Sequence, residues 1–484
     1  MGTYRRPRRR PAPRPAAATP KRKPSRRADV PRRTAYDVLA AVEHREAYAN
    51  LLLPRLLGER NLTGRDAALA TELAYGTLRG LGTYDAVLAA CSDRPLDKLD
   101  PPVRQVLRLG AHQLLATRVG SHAAVATSVD LAWAVVGPKV SGYVNAVLRR
   151  VATRDLGQWL EIVAPAADAD PDGCLAVRHS YPRWIVAAYR DALGGAAEGE
   201  LADALAAGNA RPRVTMAAFP GGTAREEIMP YGAEPGRWSP YAFTLAGGDP
   251  SALVAAGHAA VQDEASQLAA IALTRVPAGG PDGTWLDLCA GPGGKARMLY
   301  GLTGATTRSE SPGCARLVAA DIHPHRAGLV RAALDAAPGG EPPAVVAADG
   351  RRAPWREGAF DRVLVDVPCS GLGALRRRPE ARWRKSPSDL AELAALQRSF
   401  LRSALAAVRP GGVVGYVTCS PVPAETSGIV TGVAGSGDDA EILDAPAVLP
   451  EVPDLRAPDP RFAQFWPHRH GTDAIFVALL RRLS

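Results

Sequence analysis

The stretch GTWLDLCAGPGGK, residues 283–295, decides the fold of the C-terminal half of this 484-residue chain. Apolar residues with strand character run into a turn that holds three glycines and ends at Lys295. A glycine-rich turn between a strand and a helix lets the backbone approach a ligand and directs helix N–H groups at it. A Walker loop does not fit, because Cys289 stands where its first glycine would fall and no Ser or Thr follows Lys295. We therefore predict a cofactor-binding loop formed by Cys289, Ala290, Gly291, Pro292, Gly293, Gly294 and Lys295.

Four more apolar stretches follow this loop, each separated from the next by helical or loop sequence. They read ARLVAAD, AVVAAD, FDRVLVDVP and GGVVGYVTCS, and several of them end in Asp or Cys. Strands that alternate with helices in this way indicate a parallel sheet with crossover helices. Ligands of such sheets bind just beyond the carboxyl ends of the strands. The sequence thus predicts an α/β, Rossmann-like catalytic domain over residues 275–484.

Two acidic residues extend the predicted cofactor site beyond the glycine loop. Asp321 ends the second predicted strand, and Asp349 ends the third. A carboxylate at the end of the second strand suits hydrogen bonds from a ribose diol. One at the end of the third strand can accept a hydrogen bond from an adenine amino group. Helix N-caps are an alternative role for such residues. The loop also meets the loose GxGxxA dinucleotide pattern, so a Rossmann dehydrogenase stays open at this point.

Two cysteines follow neighbouring predicted strands at the same edge as the cofactor loop. Cys369 follows the fourth strand and Cys419 the fifth, each beside a Pro- or Gly-containing loop. A lone buried cysteine is usually a small core residue, but a strand end beside a ligand site favours chemistry. The six cysteines form no CxxC pair and no secretory signal precedes them, which indicates free thiols in the reducing cytoplasm.

Thiols in this position suit methylation of a pyrimidine at carbon 5. Addition of a thiolate to carbon 6 makes carbon 5 nucleophilic enough to attack a methyl sulfonium, and loss of the carbon-5 proton then releases the thiol. An acid that hydrogen-bonds the ring would stabilise the developing charge, and Asp366 lies three residues before Cys369. The target base must be single-stranded or flipped out of a helix. Both cysteines and Asp366 are therefore predicted to be catalytic.

The N-terminal half has a different pattern. Apolar residues recur at spacings of three and four through residues 34–155, which predicts an all-α domain of five to seven helices. Residues 156–274 are mixed and are interpreted as a connecting region with a small fold of its own. No apolar run reaches 18 residues, so no membrane span is expected.

The positive charge of the chain is concentrated in its first residues. Residues 1–33 hold 13 Lys and Arg against one acid, a charge of +12, which leaves −2 of the total +10 for the rest. Such a Pro- and Ala-rich segment is predicted to be a disordered tail that adds salt-dependent affinity for RNA phosphates. A solubility tail and a transit peptide are the alternatives.

The motifs LDLCAGPGGK, DVPCSGLG and TCS together resemble the RNA cytosine-5 methyltransferases of the NOL1/NOP2/Sun family. VQDEASQL (261–268) and RRRPEARWR (376–384) resemble segments that flank that family's motifs. The helical N-terminal region looks like a NusB-type RNA-binding domain. This combination resembles the bacterial Sun, or RsmB-like, branch, which methylates small-subunit ribosomal RNA. The resemblance implies S-adenosylmethionine as cofactor and 16S ribosomal RNA as partner.

By this resemblance the nucleophile is Cys419, and the cysteine that promotes product release is Cys369. The cofactor contacts implied by the resemblance fall on residues 289–295, Asp321, Asp349 and Asp366. Two departures affect neighbouring positions: Glu425 precedes Thr426 where the family has Glu-Asn, and Asp473–Phe476 reads DAIF in place of DGFF.

The remaining expectations concern partners and setting. We expect a cytoplasmic monomer that binds neither a membrane nor a metal. His468 and His470 are interpreted as surface histidines, and Cys314 has no assigned role. A transfer-RNA cytosine-5 methyltransferase and a catalytically silent RNA-binding assembly factor remain alternatives.

Overall fold

The computed structural model describes the chain in eight ranges. They are residues 28–194, 198–230, 232–245, 250–306, 316–337, 343–352, 354–435 and 440–484. Most of the predicted basic tail, residues 1–27, lies outside the described residues, and so does Cys314.

Seven α-helices form the N-terminal region, as the apolar periodicity predicts. The first begins at Val30, where Asp29 accepts a hydrogen bond from the backbone N–H of Arg32 at 2.9 Å, so the last residues of the predicted tail are helical. Its buried face includes Ala35, Val38, Leu39 and Val42. The helices are α1 (Val30–His44), α2 (Ala49–Glu59), α3 (Gly64–Arg79), α4 (Leu81–Cys91), α5 (Pro101–Ala116), α6 (Ser121–Val135) and α7 (Ser141–Val151).

A smaller unit of helices and short strands follows. Its elements are α8 (Leu156–Val163), α9 (Pro171–His179), α10 (Arg183–Ala192), α11 (Glu198–Ala207), β1 (Val214–Ala218), α12 (Arg225–Ile228), β2 (Glu234–Pro235), β3 (Ala242–Leu245), α13 (Ser251–Ala255) and β4 (Ala259–Val261). The four strands pair antiparallel in the order β2-β3-β1-β4. Helix α14 (Glu264–Arg275) comes next and packs on the large sheet, where Leu268 and Ile271 share a core with Trp285.

The large sheet carries the predicted site. Its elements are β5 (Thr284–Asp287), α15 (Gly294–Thr306), β6 (Arg316–Asp321), α16 (Pro324–Asp335), β7 (Ala344–Ala347), β8 (Phe360–Asp366), α17 (Pro387–Ala407), β9 (Val408–Thr418), α18 (Ser427–Ala434), β10 (Ala440–Leu443), β11 (Ala463–Gln464), α19 (Pro467–His470) and β12 (Phe476–Arg482). The strand order is β10-β12-β9-β8-β5-β6-β7, and β11 also pairs with β12.

All five predicted strands of the α/β domain, β5 to β9, are present and parallel. The sheet is nevertheless mixed, because β12 runs antiparallel to β9 and β10 runs antiparallel to β12. The reversed strand β12 begins with Phe476, whose register partner is Thr418. The segment just before β12 therefore lies at the edge where β9 ends.

The segment that follows Cys369 joins the two halves of the molecule. Glu380 accepts a hydrogen bond from the N–H of Ala49 at 3.0 Å, at the start of α2. Arg384 donates to the carbonyls of Val42 at 3.0 Å and Ala47 at 2.6 Å. A cation at the end of α1 also complements the partial negative charge there. The helical region is thus anchored to the chain segment that leaves the predicted active site.

One interpretation of the sequence is wrong in the fold. His470 is 3% exposed, and its Nδ1 accepts from the backbone N–H of Trp466 at 2.9 Å, so it is not a surface residue. His468 is also largely buried and contacts Glu200. Burial lowers the pKa of both histidines, which favours their neutral forms.

Within the described ranges, no helix combines the length and apolarity required to cross a bilayer.

Candidate active site

The two cysteines that follow β8 and β9 meet at the carboxyl edge of the sheet. The two strands are parallel neighbours with Asp366 in register with Val417, so the residues that follow them emerge side by side. The Sγ atoms of Cys369 and Cys419 are 3.2 Å apart, and neither thiol is in a disulfide. The hydrogen bond with Cys419 and burial raise the pKa of Cys369 well above its ordinary value. Cys369 is therefore held as a thiol against the sulfur of Cys419.

A buried carboxylate to which the sequence analysis assigned no role, Glu425, joins the loops that carry Cys369 and Cys419 (the cysteine loops). Glu425 is fully buried, and its Oε1 accepts from the N–H of Ser370 at 2.7 Å and from Nε2 of Gln397 at 3.0 Å. Its Oε2 accepts from the hydroxyls of Ser370 at 2.5 Å and Ser420 at 2.6 Å. Because Ser370 follows Cys369 and Ser420 follows Cys419, one side chain fixes the position of both loops.

A glycine makes the second connection at this edge. The N–H of Gly373 donates to the carbonyl of Cys419 at 2.8 Å, and its carbonyl accepts from Ala474 at 2.9 Å. A Cβ atom on Gly373 would lie 1.9 Å from the carbonyl oxygen of Ala474 and 2.8 Å from that of Cys419. Any side chain here would push the backbone of Cys419 out of place. The DAIF segment therefore supports the second cysteine through Gly373.

The predicted cofactor loop connects β5 to α15 at the same edge. The N–H of Gly291 donates to Oδ2 of Asp321 at 3.1 Å, which ties the loop to the end of β6. Gly293 has φ +113°, a backbone conformation that side chains disfavour. Lys295, in the first turn of α15, pairs through Nζ with Oδ2 of Asp366 at 2.7 Å. This ion pair links the cofactor loop to the strand that precedes Cys369.

The charge of Lys295 is maintained inside this site. Burial works to lower the pKa of Lys295, but Asp366 and the nearby Cys419 outweigh it and raise the pKa overall. Lys295 is therefore a buried cation near the sulfur of Cys419. Cys289 has the opposite setting, because burial and the carboxylates of Asp287 and Asp366 raise its pKa well above the ordinary value. Cys289 is thus not the activated thiol of this edge.

Asp287, the last residue of β5, is a second acid that the sequence interpretation did not assign. It is fully buried, and neither carboxylate oxygen has a partner in hydrogen-bonding geometry among the described residues. Burial and the neighbouring Asp366 raise its pKa to about 7, although Lys295 and the nearby N–H of Cys289 act to lower it. A cationic ligand group at this point would satisfy the carboxylate, so the loop and its surroundings fit a charged cofactor.

Asp349 follows β7 at the far end of the same edge. Its carboxylate pairs with Arg351 at 2.7 Å, and this side-chain bond lowers the pKa of Asp349 to about 2. The structure therefore brings residues 289–295, Asp321, Asp366 and both cysteines together around β5, β6, β8 and β9. Asp349 lies beyond them, with its charge already balanced by a neighbour.

Comparison with known proteins agrees with this architecture. The family model "16S rRNA methyltransferase RsmB/F" matches residues 277–481, and the NusB family model matches residues 29–153. A putative methyltransferase of Mycobacterium tuberculosis is 48% identical over 473 residues, covering 97% of this chain and 100% of the relative. The probable ribosomal RNA small subunit methyltransferase B of Bacillus subtilis is 31% identical over 462 residues, covering 93% and 98%.

The fold has a counterpart among solved structures. The crystal structure of PH0851 superposes with a TM-score of 0.74 at 22% sequence identity, covering 94% of this chain and 99% of the other. These matches confirm the predicted NusB-like region, the α/β methyltransferase domain and S-adenosylmethionine as the methyl donor. The chain belongs to the RsmB/F family of 16S rRNA methyltransferases.

Proposed function

We propose that this protein methylates carbon 5 of a cytosine in 16S ribosomal RNA through a covalent intermediate on Cys419. The observation that carries the proposal is the 3.2 Å contact between the free thiols of Cys369 and Cys419 at the cofactor edge. A methyltransferase that acts on exocyclic nitrogens or on ribose has no need of two thiols in contact. Carbon 5 of cytosine does need a thiol, because it is a weak nucleophile until carbon 6 carries a covalent adduct.

The proposed reaction begins with Cys419. Its thiolate adds to carbon 6 and forms a carbon–sulfur bond, which moves electron density to carbon 5. Asp366 is proposed to hydrogen-bond the cytosine at its amino-group side and hold the ring in place, while the ammonium of Lys295, 2.7 Å from Asp366, stabilises the negative charge that develops on addition. S-adenosylmethionine supplies an electrophilic methyl group on its sulfonium, and Asp321, Asp366 and the 289–295 loop are proposed to hold it.

Cys369 acts in the second half of the reaction. After carbon 5 has gained the methyl group, a water molecule acting as base takes its proton. The electron pair of that C–H bond re-forms the 5,6 double bond, and the bond between carbon 6 and the sulfur of Cys419 breaks. The thiol of Cys369 is kept protonated by its raised pKa and lies against the departing sulfur. It can therefore donate a hydrogen bond to the leaving thiolate, which promotes release of the product.

Two substitutions test this division of roles. Cys419→Ala should abolish methyl transfer and adduct formation. Cys369→Ala should accumulate a protein–RNA adduct that survives denaturing electrophoresis, because addition proceeds and release does not. Cys174→Ala is a matched control, since Cys174 is a buried free thiol in α9, away from the sheet edge. Normal turnover without adduct in Cys369→Ala would contradict the two-cysteine mechanism.

The choice of substrate needs a separate experiment. Bisulfite mapping of ribosomal and transfer RNA from cells with and without this gene should show one gene-dependent 5-methylcytosine in 16S ribosomal RNA. A gene-dependent site in transfer RNA alone would reject the proposed substrate while leaving the chemistry intact. Loss of no site in either RNA would favour a silent assembly factor. A ribosomal substrate also implies action in the cytoplasm.

A further inference from the structure

The connection between β4 and α14 holds a buried polar side chain with no partner among the described residues. Gln262 is 7% exposed, and neither Oε1 nor Nε2 of its amide makes a hydrogen bond. Its backbone is well fixed, since its N–H donates to Thr215 at 3.1 Å and its carbonyl accepts from Gln267 at 3.1 Å. A buried amide without partners destabilises a protein, so its presence indicates a ligand that supplies them.

The amide of Gln262 faces the start of helix α15. A Cβ atom on Gly294 would lie 3.6 Å from both Cδ and Nε2 of Gln262 and 3.9 Å from its Oε1. The first hydrogen bond of this 13-residue helix runs from the N–H of Arg297 to the carbonyl of Gly293 at 2.9 Å. The N–H groups before Arg297 have no acceptor within the helix and attract an anion.

Gln262 lies between the cofactor loop and the segments that support the cysteine loops. The carboxylate of the next residue, Asp263, accepts from the N–H of Asp473 at 3.1 Å and pairs with Arg376 at 2.8 Å. Those two residues belong to the segments that support the cysteine loops. The side chain of Gln262 itself lies beside Gly294 of the cofactor loop.

We propose that Gln262 binds the α-amino-carboxylate end of S-adenosylmethionine, an inference that rests on the proposed cofactor site. An amide both donates and accepts, so Nε2 can serve the ligand carboxylate beside the start of α15 while Oε1 accepts from the ligand ammonium. Asp287 provides the negative charge that balances this ammonium. With the ribose at Asp321 on β6, the opposite end of the ligand would extend towards the neighbouring strand β5, which ends at Asp287 and leads into the loop whose Gly294 lies beside Gln262.

Calorimetry with two ligands tests the assignment in the full chain. S-adenosylhomocysteine carries the amino-acid end, whereas 5′-methylthioadenosine lacks it and keeps the adenosine and thioether. Gln262→Leu should weaken S-adenosylhomocysteine binding about tenfold, the effect of losing one hydrogen bond to a charged group. Its affinity for 5′-methylthioadenosine should change by less than about twofold, since that ligand has no group for the amide of Gln262 to bind.

The same variant separates a binding role from a structural one. Leu has a volume close to that of Gln, and the amide has no partner to lose, so the cofactor-free variant should melt no lower than the wild type. Gln105→Leu is the matched control, because Gln105 is also buried but donates to Glu43 at 2.8 Å in the helical region. That variant should melt lower and bind both ligands normally.

Two results would overturn the inference. One is unchanged affinity of Gln262→Leu for S-adenosylhomocysteine, and the other is an equal loss of affinity for both ligands. A wild-type protein that binds neither ligand would instead reject the cofactor site as a whole. The failure of the proposed site and the failure of the role of Gln262 are thereby distinguishable.

Discussion

Removal of the Glu425 carboxylate is the perturbation that the geometry of the cysteine loops makes most informative. Glu425 accepts four hydrogen bonds of 2.5 to 3.0 Å, three of them from Ser370 and Ser420, the residues that directly follow Cys369 and Cys419. Glu425→Ala leaves the N–H of Ser370 and one amide hydrogen of Gln397 without an acceptor. The two serine hydroxyls are 3.3 Å apart and can bond each other in the variant.

These contacts give the size of the expected effect. A buried donor left without its acceptor costs about 1–3 kcal/mol, so two such donors should lower the free energy of unfolding of Glu425→Ala by roughly 2–6 kcal/mol. Glu425→Gln keeps the shape and one acceptor oxygen, and it should lose about half as much. Urea denaturation measures both losses, provided that the slope of the transition is unchanged.

The effect on chemistry should exceed the effect on stability. With the cysteine loops no longer joined, we expect kcat of Glu425→Gln to fall about 100-fold, since a displacement of about 1 Å at a reacting group costs this much. The KM for RNA should stay within about twofold, because Glu425 is fully buried and touches no substrate.

The reactivity of the Cys369 thiol provides a second test of the role of Glu425. Glu425 is among the groups that raise the pKa of Cys369, after the hydrogen bond with Cys419 and burial. Loss of this negative charge should therefore lower the pKa of Cys369. In a Cys419→Ala background, the pH profile of Cys369 alkylation, located by mass spectrometry, should move to lower pH when Glu425 becomes Gln.

A matched variant shows whether these effects are specific to the cysteine edge. Asp361 is a buried carboxylate at the opposite end of β8, where it accepts from the N–H groups of Gly283 and Thr284, both at 2.8 Å. Asp361→Asn should lose comparable stability and retain kcat at a temperature where it is folded. If Glu425→Gln also retained kcat and the Cys369 titration, the proposed positioning of both thiols by Glu425 would be refuted.

Three further predictions concern other parts of the chain. Gly373→Ala should lower kcat at least about 100-fold in a methyl-transfer assay, because its Cβ would meet the carbonyl of Cys419 at 2.8 Å. Asp287→Asn should melt at a higher temperature than the wild type, and the difference should grow as pH rises from about 4 to about 7. The reason is that the pKa of Asp287 is raised to about 7 in the folded protein, so raising the pH through this range destabilises the folded wild type but not the variant. The same variant should bind S-adenosylhomocysteine more weakly and lose the rise in affinity through pH 7, as calorimetry can measure. Deletion of residues 1–27 removes 11 of the 13 basic residues before residue 34. In a filter-binding titration, the slope of the logarithm of the RNA-binding constant against the logarithm of the salt concentration should become shallower by about 0.7 for each phosphate that the tail neutralises. An unchanged slope would leave only the solubility role for the tail.

The parts of the fold that depend on local pattern could be predicted from the sequence. Short apolar runs separated by helical sequence predicted β5 to β9, and parallel neighbours necessarily bring the residues after β8 and β9 to one edge. The antiparallel additions were harder to predict, since β10 and β12 pair with strands distant in sequence. Their direction depends on tertiary contacts that no local periodicity records.

The supporting residues of the site could not be predicted for a related reason. Glu425 and Gln262 lie in short loops where an acid or an amide is ordinary, and only their burial and partners distinguish them. The sequence signal at Glu425 was an incomplete Glu-Asn pair. The prediction for His470 was wrong for a different reason. It was interpreted as a surface histidine because the sequence offers no further ligands at metal spacing, whereas its ring is buried and its Nε2 lies 3.0 Å from the carbonyl oxygen of Pro453.

The two edges of the large sheet differ in a way that stability alone does not explain. At the amino edge, Asp361 is surrounded by donors, and Arg362 and Asp282 form an ion pair of 2.6 Å. At the carboxyl edge, Asp287 and Gln262 are buried without partners in the described structure. Two buried unsatisfied side chains beside the cofactor loop indicate a site whose partners arrive with the ligand.

This asymmetry has a measurable consequence. A ligand present at 100 times its Kd stabilises the folded state by about 2.7 kcal/mol, whichever contacts it makes. If the ligand supplies the missing partners, hydrogen exchange should slow most at β5 and at the start of α15, and least at Gly283 and Thr284, whose N–H groups already have an acceptor. Uniform slowing across both edges would mean that S-adenosylhomocysteine stabilises the sheet globally and that the unpaired groups are not its contacts.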